Sequence, residues 1–259
     1  MAKTGKSIKM EKVFVDKFNN DPLYRNKINN LLGGDYDYAE DCKSGLLTEE
    51  WQKLSGKNGK DPSKSDVTLS GSSGIIGVSI KNGGGRATSA NYSETKAIFY
   101  TVLNQSNKYV GDKVLNNLID DMFNTWKPYD KKYVTDKEVT TRKLKQGKIK
   151  EAQLQAYIDV CTPLTAQVKQ ILAHNKDYMV DVMRECLTGF NKFGDDFARA
   201  DFYLQTAKDN VDKVDKLYDV TSKNFKNVCS DYLSGSVLNF NMKSSSGGRP
   251  IRDHWIRFM

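Results

Sequence analysis

Between Lys64 and Ile98 the chain reads KSDVTLSGSSGIIGVSIKNGGGRATSANYSETKAI, and Asp66, Lys81 and Glu94 within it are the side chains whose types suit metal-assisted cleavage of a phosphodiester. That reaction requires a nucleophilic water, a neutralised phosphate and a stabilised leaving oxygen, and a divalent cation held by carboxylates serves all three needs. Magnesium keeps several of its waters and takes only one or two protein carboxylates beside the substrate's own oxygens, so Asp66 and Glu94 suffice as metal ligands. An ammonium such as that of Lys81, set beside the scissile phosphate, stabilises the developing charge and holds or helps to deprotonate the attacking water.

Three elements must position these groups. Residues 65 to 70 (SDVTLS) and 74 to 81 (GIIGVSIK) are β-branched runs joined by the Gly/Ser turn Gly71 to Gly74, which predicts a hairpin. After the loop NGGGR, a run opened by Ser89 or Ser93 as N-cap carries Ala97, Ile98, Tyr100, Thr101 and Val102 with helical spacing. Asp66 then starts one strand, Lys81 ends the next and Glu94 enters the following helix, whose N-terminal amides point toward an anion.

At these residues the chain resembles the PD-(D/E)xK nuclease superfamily, the fold of many restriction endonucleases, whose core hairpin carries an Asp on one strand and an acid-x-Lys on the next. Lys64-Ser65-Asp66 stands for the first element and Ser79-Ile80-Lys81 for the second. Ser79 occupies the place of the usual acid, and a neutral hydroxyl is a poor substitute for an anionic magnesium ligand. A variant of the family moves that acid onto the next helix, and Glu94 lies thirteen positions beyond Lys81. The resemblance implies a restriction-endonuclease-like α/β (α+β) fold with a mixed sheet flanked by helices. It implies Mg2+ as cofactor, with Mn2+ able to substitute, and catalytic roles for Asp66, Lys81, Glu94 and, as a minor polar participant, Ser79. It further implies restriction-type, sequence-specific cutting of double-stranded DNA by a homodimer, because cutting both strands takes two sites. An acid from a helix before the hairpin is a further feature of the family, and Glu50 stands where such a ligand would come from.

Composition sets the outer bounds. With 259 residues, 38% hydrophobic and 10% aromatic, the chain can bury a core, and a net charge of +8 points to a polyanionic partner. No apolar run reaches the length of a bilayer span, and the N-terminal MAKTGKSIKMEKVF has no apolar signal region, so a soluble, cytoplasmic protein without membrane contact is expected. Cys42, Cys161, Cys186 and Cys229 are scattered without CxxC pairing and read as small buried hydrophobes. With only His174 and His254, neither a His-rich metal site nor a His-based nucleophile has much to draw on. The Gly-rich segments do not make a nucleotide site: GSSGIIGVSIK lacks the Gly-Lys-Ser/Thr ending of a P-loop, and KNGGGR lacks GxGxxG spacing.

Elsewhere helical periodicity marks residues 8 to 33, with Pro22 breaking or beginning a helix and Val13, Phe14, Phe18, Leu23, Ile28 and Leu31 offered to a core. Thr48 caps a short helix over 47 to 54, Val110 to Trp126 is amphipathic, and 150 to 184 is rich in helix formers with a break at Pro163. Arg184 to Leu204 reads as aromatic packing between helices. Ser236 to Lys243 and Ile251 to Met259 alternate as strands and predict a C-terminal β-hairpin beyond a largely helical elaboration. The expected organisation is 1–126 as nuclease core, 127–235 as a basic helical region and 236–259 as the hairpin completing the fold, with all three in one domain as the alternative. Residues 127 to 150 hold nine Lys or Arg against three acids, with Tyr129 and Tyr133 interleaved, the pattern of a phosphate-contacting surface. The DNA-contacting candidates are Lys64, Arg86, Lys131, Lys132, Arg142, Lys143, Lys145, Arg249 and Arg252. Two other classes stay open: a non-catalytic DNA-binding or virion-associated structural protein, and an RNA-binding or RNA-processing protein, for which single-strand preference and stacking aromatics are diagnostic.

Overall fold

Asp21 and Pro22 divide the N-terminal helical stretch in two. The proline ring suits a first helical position, and the Asp21 carboxylate accepts the N–H groups of Leu23 and Tyr24 at 3.0 and 3.1 Å. The computed structural model describes residues 5–82, 88–105, 107–129, 162–207, 210–235, 239–244 and 251–258. In chain order its elements are α1 (Gly5–Asn20), α2 (Pro22–Leu32), β1 (Tyr38–Asp41), β2 (Ser44–Leu46), α3 (Glu49–Ser55), β3 (Lys60–Pro62), β4 (Val67–Gly71), β5 (Gly74–Asn82) and β6 (Thr88–Ala90). They continue with α4 (Tyr92–Gln105), α5 (Lys113–Trp126), α6 (Thr162–His174), α7 (Lys176–Thr188), α8 (Phe190–Phe193), β7 (Phe202–Ala207), β8 (Asn210–Asp219), α9 (Lys223–Gly235), β9 (Asn239–Ser244) and β10 (Ile251–Phe258). The chain divides into two compact units: Met1–Lys53, Lys57–Arg86 and Arg184–Cys229 form one, and Leu54–Gly56, Ala87–Met183 and Ser230–Met259 the other.

The first unit is built on a mixed five-stranded sheet of order β1-β4-β5-β7-β8. β4 and β5 form the expected hairpin, paired from Val67↔Val78 to Gly71↔Gly74, while β7 lies parallel to β5 with Lys81 opposite Gln205. Because side chains alternate across a strand, one face collects Val67, Leu69, Val78, Ile80 and Leu204. These bury against Phe14, Phe18, Tyr24 and Ile28 of α1 and α2 to make the core. The new start at Pro22 re-phases α2, so Tyr24 and Ile28 point inward. Leu23, expected in the core, is 82% exposed, and Leu31 is exposed as well. At the β1 edge, the Asn19 side chain binds both the N–H and the C=O of Ala39, at 2.8 and 2.9 Å. An edge strand is thereby closed at its centre to pairing with another chain.

In the second unit, α4, α5, α6 and most of α7 gather around interlocked aromatics. Phe99, Tyr109 and Tyr178 meet edge to face, and the Tyr178 hydroxyl donates to the Phe99 carbonyl at 2.7 Å. Helix α4 is capped not by Ser89 or Ser93 but by Asn91, whose side-chain oxygen accepts the Glu94 N–H at 3.0 Å. Ser89 lies in β6, and Ser93 is already inside the helix, where a cap oxygen has no orphan amide to serve. His174 ends α6 and binds Asp112 at 2.9 Å, and Asp112 caps α5 through the Leu115 N–H. That backbone bond, with the histidine beside it, holds the Asp112 carboxyl below its usual range against a smaller push from burial. The strands β6, β10 and β9 form a separate sheet in that order, with β10 antiparallel to both neighbours. Among the described residues no helix is long and apolar enough to cross a membrane.

Candidate active site

The polar face of the five-stranded sheet is where the chemistry-bearing residues fall. Register sets Asp66 opposite Ser79, one position beyond the Val67↔Val78 pair, and sets Ser79 beside Tyr203 on β7. Asp66 is anchored by its own backbone, its N–H donating to the Val78 carbonyl at 2.9 Å and its carbonyl accepting from Cys42 at 3.1 Å. Three donors converge on a single carboxylate oxygen, Oδ2. The Ile80 N–H lies at 2.7 Å, the Ser79 hydroxyl at 3.2 Å and the Lys81 ammonium at 3.5 Å. Asp66 is 9% exposed and Ser79 fully buried, whereas the Lys81 side chain keeps 31% of its surface. A buried carboxylate stays in place only when donors satisfy it, and here the strand bearing the lysine supplies all three.

The hairpin therefore brings together three of the four residues read from the sequence. The arrangement gives Ser79 a definite task. Its hydroxyl donates to Asp66 at 3.2 Å and fixes that carboxylate's orientation. The Lys81 ammonium also lies 6.0 Å above the ring of Tyr203, itself 2% exposed and packed against Phe225 of α9. A cation held between a carboxylate and an aromatic face has few places to go. Glu94 sits in the first turn of α4 and belongs to the second unit. Glu50 is in the first turn of α3. Among the described residues no group of three or more His, Cys, Asp or Glu is gathered to hold a metal. The donor chemistry of Asp66 fits a hard cation that keeps its water and relies on one protein carboxylate and a substrate phosphate.

A loop between α8 and β7 braces the hairpin at this point. Ala198 accepts the N–H groups of Lys64 and Ser65 at 2.9 and 3.1 Å, and Phe197 accepts the Ser65 hydroxyl at 3.0 Å. Asp201 takes the Gly77 N–H at 2.9 Å and the Arg199 guanidinium at 2.7 Å. Gly77 must be glycine because a first side-chain carbon there would strike the Arg199 carbonyl and lie 2.5 Å from that of Phe197. Both obstacles are backbone and cannot swing aside, so Gly77→Ala is expected to cost about 1–3 kcal/mol. Thermal unfolding checks this, and an unchanged melting temperature would mean that the loop gives way freely.

Tyr203, Gly77 and the bracing loop were not singled out by sequence reasoning. The signal available was the alternation in FYLQTA and NVDKVDKLYD, the two strands read as inter-helix packing or left unread. Of the DNA-contact candidates, Lys64 lies just before β4, its stem along Gly189 and its charge acting on the buried Glu185. Arg252 lies on β10. Arg86, Lys131, Lys132, Arg142, Lys143, Lys145 and Arg249 lie outside the described residues, as does Cys161. The other cysteines, Cys42, Cys186 and Cys229, are buried free thiols.

No family model, curated protein or solved structure matches this chain.

Proposed function

We propose that the chain is a divalent-metal-dependent endonuclease that hydrolyses phosphodiester bonds in double-stranded DNA. The observation that carries the reading is the convergence of the Ser79 hydroxyl, the Ile80 amide and the Lys81 ammonium on one oxygen of Asp66. In this reading Asp66 anchors Mg2+ or Mn2+, which when bound polarises the phosphate and makes its own water a stronger nucleophile. Ser79 and the Ile80 amide keep the carboxylate oriented before substrate arrives, so no reorganisation is needed at the moment of reaction. Lys81, one-third exposed and steadied by Tyr203, brings positive charge to the phosphate as negative charge builds on its oxygens. The net charge of +8 supports a polyanionic substrate. Glu94 as second metal ligand, sequence-specific restriction-type cutting and a homodimer enter the proposal through the resemblance alone.

A second reading, DNA binding without cleavage, is favoured by Ser79 standing where the family has its acid. Supercoiled plasmid incubated with the purified chain and Mg2+, beside an EDTA control, separates the two. The expected result is nicking that EDTA abolishes and that Lys81→Met lowers by on the order of 10²–10³, with duplex binding by gel shift retained. Wild-type nicking carried undiminished by Lys81→Met would sink the proposed chemistry. Retarded but intact plasmid would favour the binding protein, and preferential competition by RNA an RNA-directed role.

A further inference from the structure

Hydrolysis of a phosphodiester makes three demands, and Asp66 and Lys81 answer two of them, the activated water and the neutralised phosphate. The leaving oxygen still needs a donor, and the sheet register supplies one. Gln205 on β7 is the Cα partner of Lys81 on β5. Phe202 and Leu204 turn into the core with Ile80, so alternation sets Tyr203 and Gln205 on the polar face with Ser79 and Lys81. Tyr203 is already engaged, its ring 6.0 Å from the Lys81 ammonium and packed against Phe225. Gln205 is half-buried, and among the described residues its carboxamide takes no hydrogen-bond partner. On a face where Asp66 already bonds Ser79 and Lys81, that amide is an uncommitted pair of N–H donors.

Strand order decides which side of the reaction this donor faces. The acid stands at the start of β4, the ammonium on β5 and the amide on β7, so Gln205 lies on the far side of Lys81 from Asp66. Two strand spacings separate β4 from β7, about 9.6 Å, which is room for a phosphoryl group between them. A phosphate drawn onto Lys81 then has the carboxylate and the cation it holds toward β4, and the amide toward β7. Displacement at phosphorus keeps the attacking and leaving oxygens roughly in line, on opposite sides of the transferred group. Water activated at Asp66 enters from the β4 side, and the leaving oxygen therefore departs toward Gln205.

We propose that the Gln205 amide donates a hydrogen bond to the leaving oxygen of the phosphodiester. The inference rests on the nuclease reading and adds to it the group that stabilises departure. The attacking oxygen forms its bond to phosphorus and gives up a proton to solvent. The opposite P–O bond breaks, its electron pair stays on the leaving oxygen beside the Gln205 N–H, and water supplies the proton of the product hydroxyl. The test compares two substrates of the full chain with Mg2+: supercoiled plasmid, whose leaving group is a basic alkoxide, and bis(4-nitrophenyl) phosphate, whose nitrophenolate leaves unaided. Gln205→Met keeps the volume and removes the donor, and Gln205→Glu keeps the shape and puts an anion there at neutral pH. Both are expected to slow plasmid nicking by on the order of 10²-fold and to change hydrolysis of the aryl ester by less than about threefold, whereas Lys81→Met slows both reactions. Circular dichroism and duplex binding in EDTA should match wild type for Gln205→Met. Folded Gln205 variants that nick at the wild-type rate, or that lose both reactions equally, overturn the proposal and leave the nuclease reading standing. A wild type inert toward both substrates sinks the two together.

Discussion

Asp66→Asn is expected to reduce Mg2+-dependent nicking by on the order of 10³ while leaving the fold nearly as stable as before. The substitution removes the charge and keeps the shape. An amide oxygen at this place still accepts the Ile80 N–H and the Ser79 hydroxyl, which lie closer to Oδ2 than the Lys81 ammonium does. What disappears is the anion: a divalent cation bound there would lose its carboxylate, and Lys81 loses a partner 3.5 Å away. With one partner partly exposed, that ion pair contributes at most about 1 kcal/mol, so the melting temperature moves little. Asp66→Ala serves as the contrast. It strands a buried amide and a buried hydroxyl at about 1–3 kcal/mol each, and its activity loss therefore mixes chemistry with unfolding. Binding of Mn2+, followed by electron paramagnetic resonance, should vanish in Asp66→Asn and persist in Lys81→Met. An Asn variant that nicks plasmid at the wild-type rate would remove Asp66 from the chemistry altogether.

How far the site was legible in the sequence follows from which interactions are local. The β4–β5 hairpin is a local structure, and its alternation, its Gly/Ser turn and the Asp and Lys at its ends stood in a single short segment. Helix starts set by one side chain were half legible: Thr48 caps α3 as read, at 3.3 Å from the Trp51 N–H, whereas Asn91 and not a serine caps α4. The parallel pairing of β5 with β7 was beyond reach, because it joins Lys81 to Gln205 across more than a hundred residues and no periodicity records which strand a segment will find. Tyr203 and the brace from Phe197 to Asp201 follow from that pairing, so they were hidden with it. The bracing also explains an apparent oddity of the sequence: the second glycine in GIIGVSIK, Gly77, serves close backbone approach, not flexibility.

The largest stability effect is expected away from the chemistry, at Asp61. Lys192 is 3% exposed, its ammonium 2.5 Å from the Asp61 carboxylate and 3.3 Å from the Pro62 carbonyl, with the rings of Phe193 and Trp51 at 4.9 and 5.8 Å. Asp61→Asn leaves that ammonium buried without its anion, and breaking a buried pair from one side costs about 3–5 kcal/mol. For a protein of this size the melting temperature should fall by about 10 °C, and adding Lys192→Met should recover much of it, since the second change removes the stranded charge. The pH dependence carries a sign that checks the same pair. Burial alone would raise the Asp61 carboxyl, but Lys192 and Lys57 outweigh it and hold the group below its usual 3.8. A lowered folded value means that the contribution is complete above the usual value and is lost as pH falls through the lowered one. Nearby Glu185 runs the other way. Burial raises its carboxyl despite the amides of Asn191 and Lys192 and the charges of Lys64 and Arg184, so its contribution is complete at low pH and diminishes as pH rises past the ordinary value for glutamate. The difference between wild-type and Asp61→Asn stability, measured from neutral pH down to acid, cancels the Glu185 part and should shrink only at the acid end. A difference that stays constant down to the lowest pH would show that the Asp61 charge contributes nothing to holding Lys192.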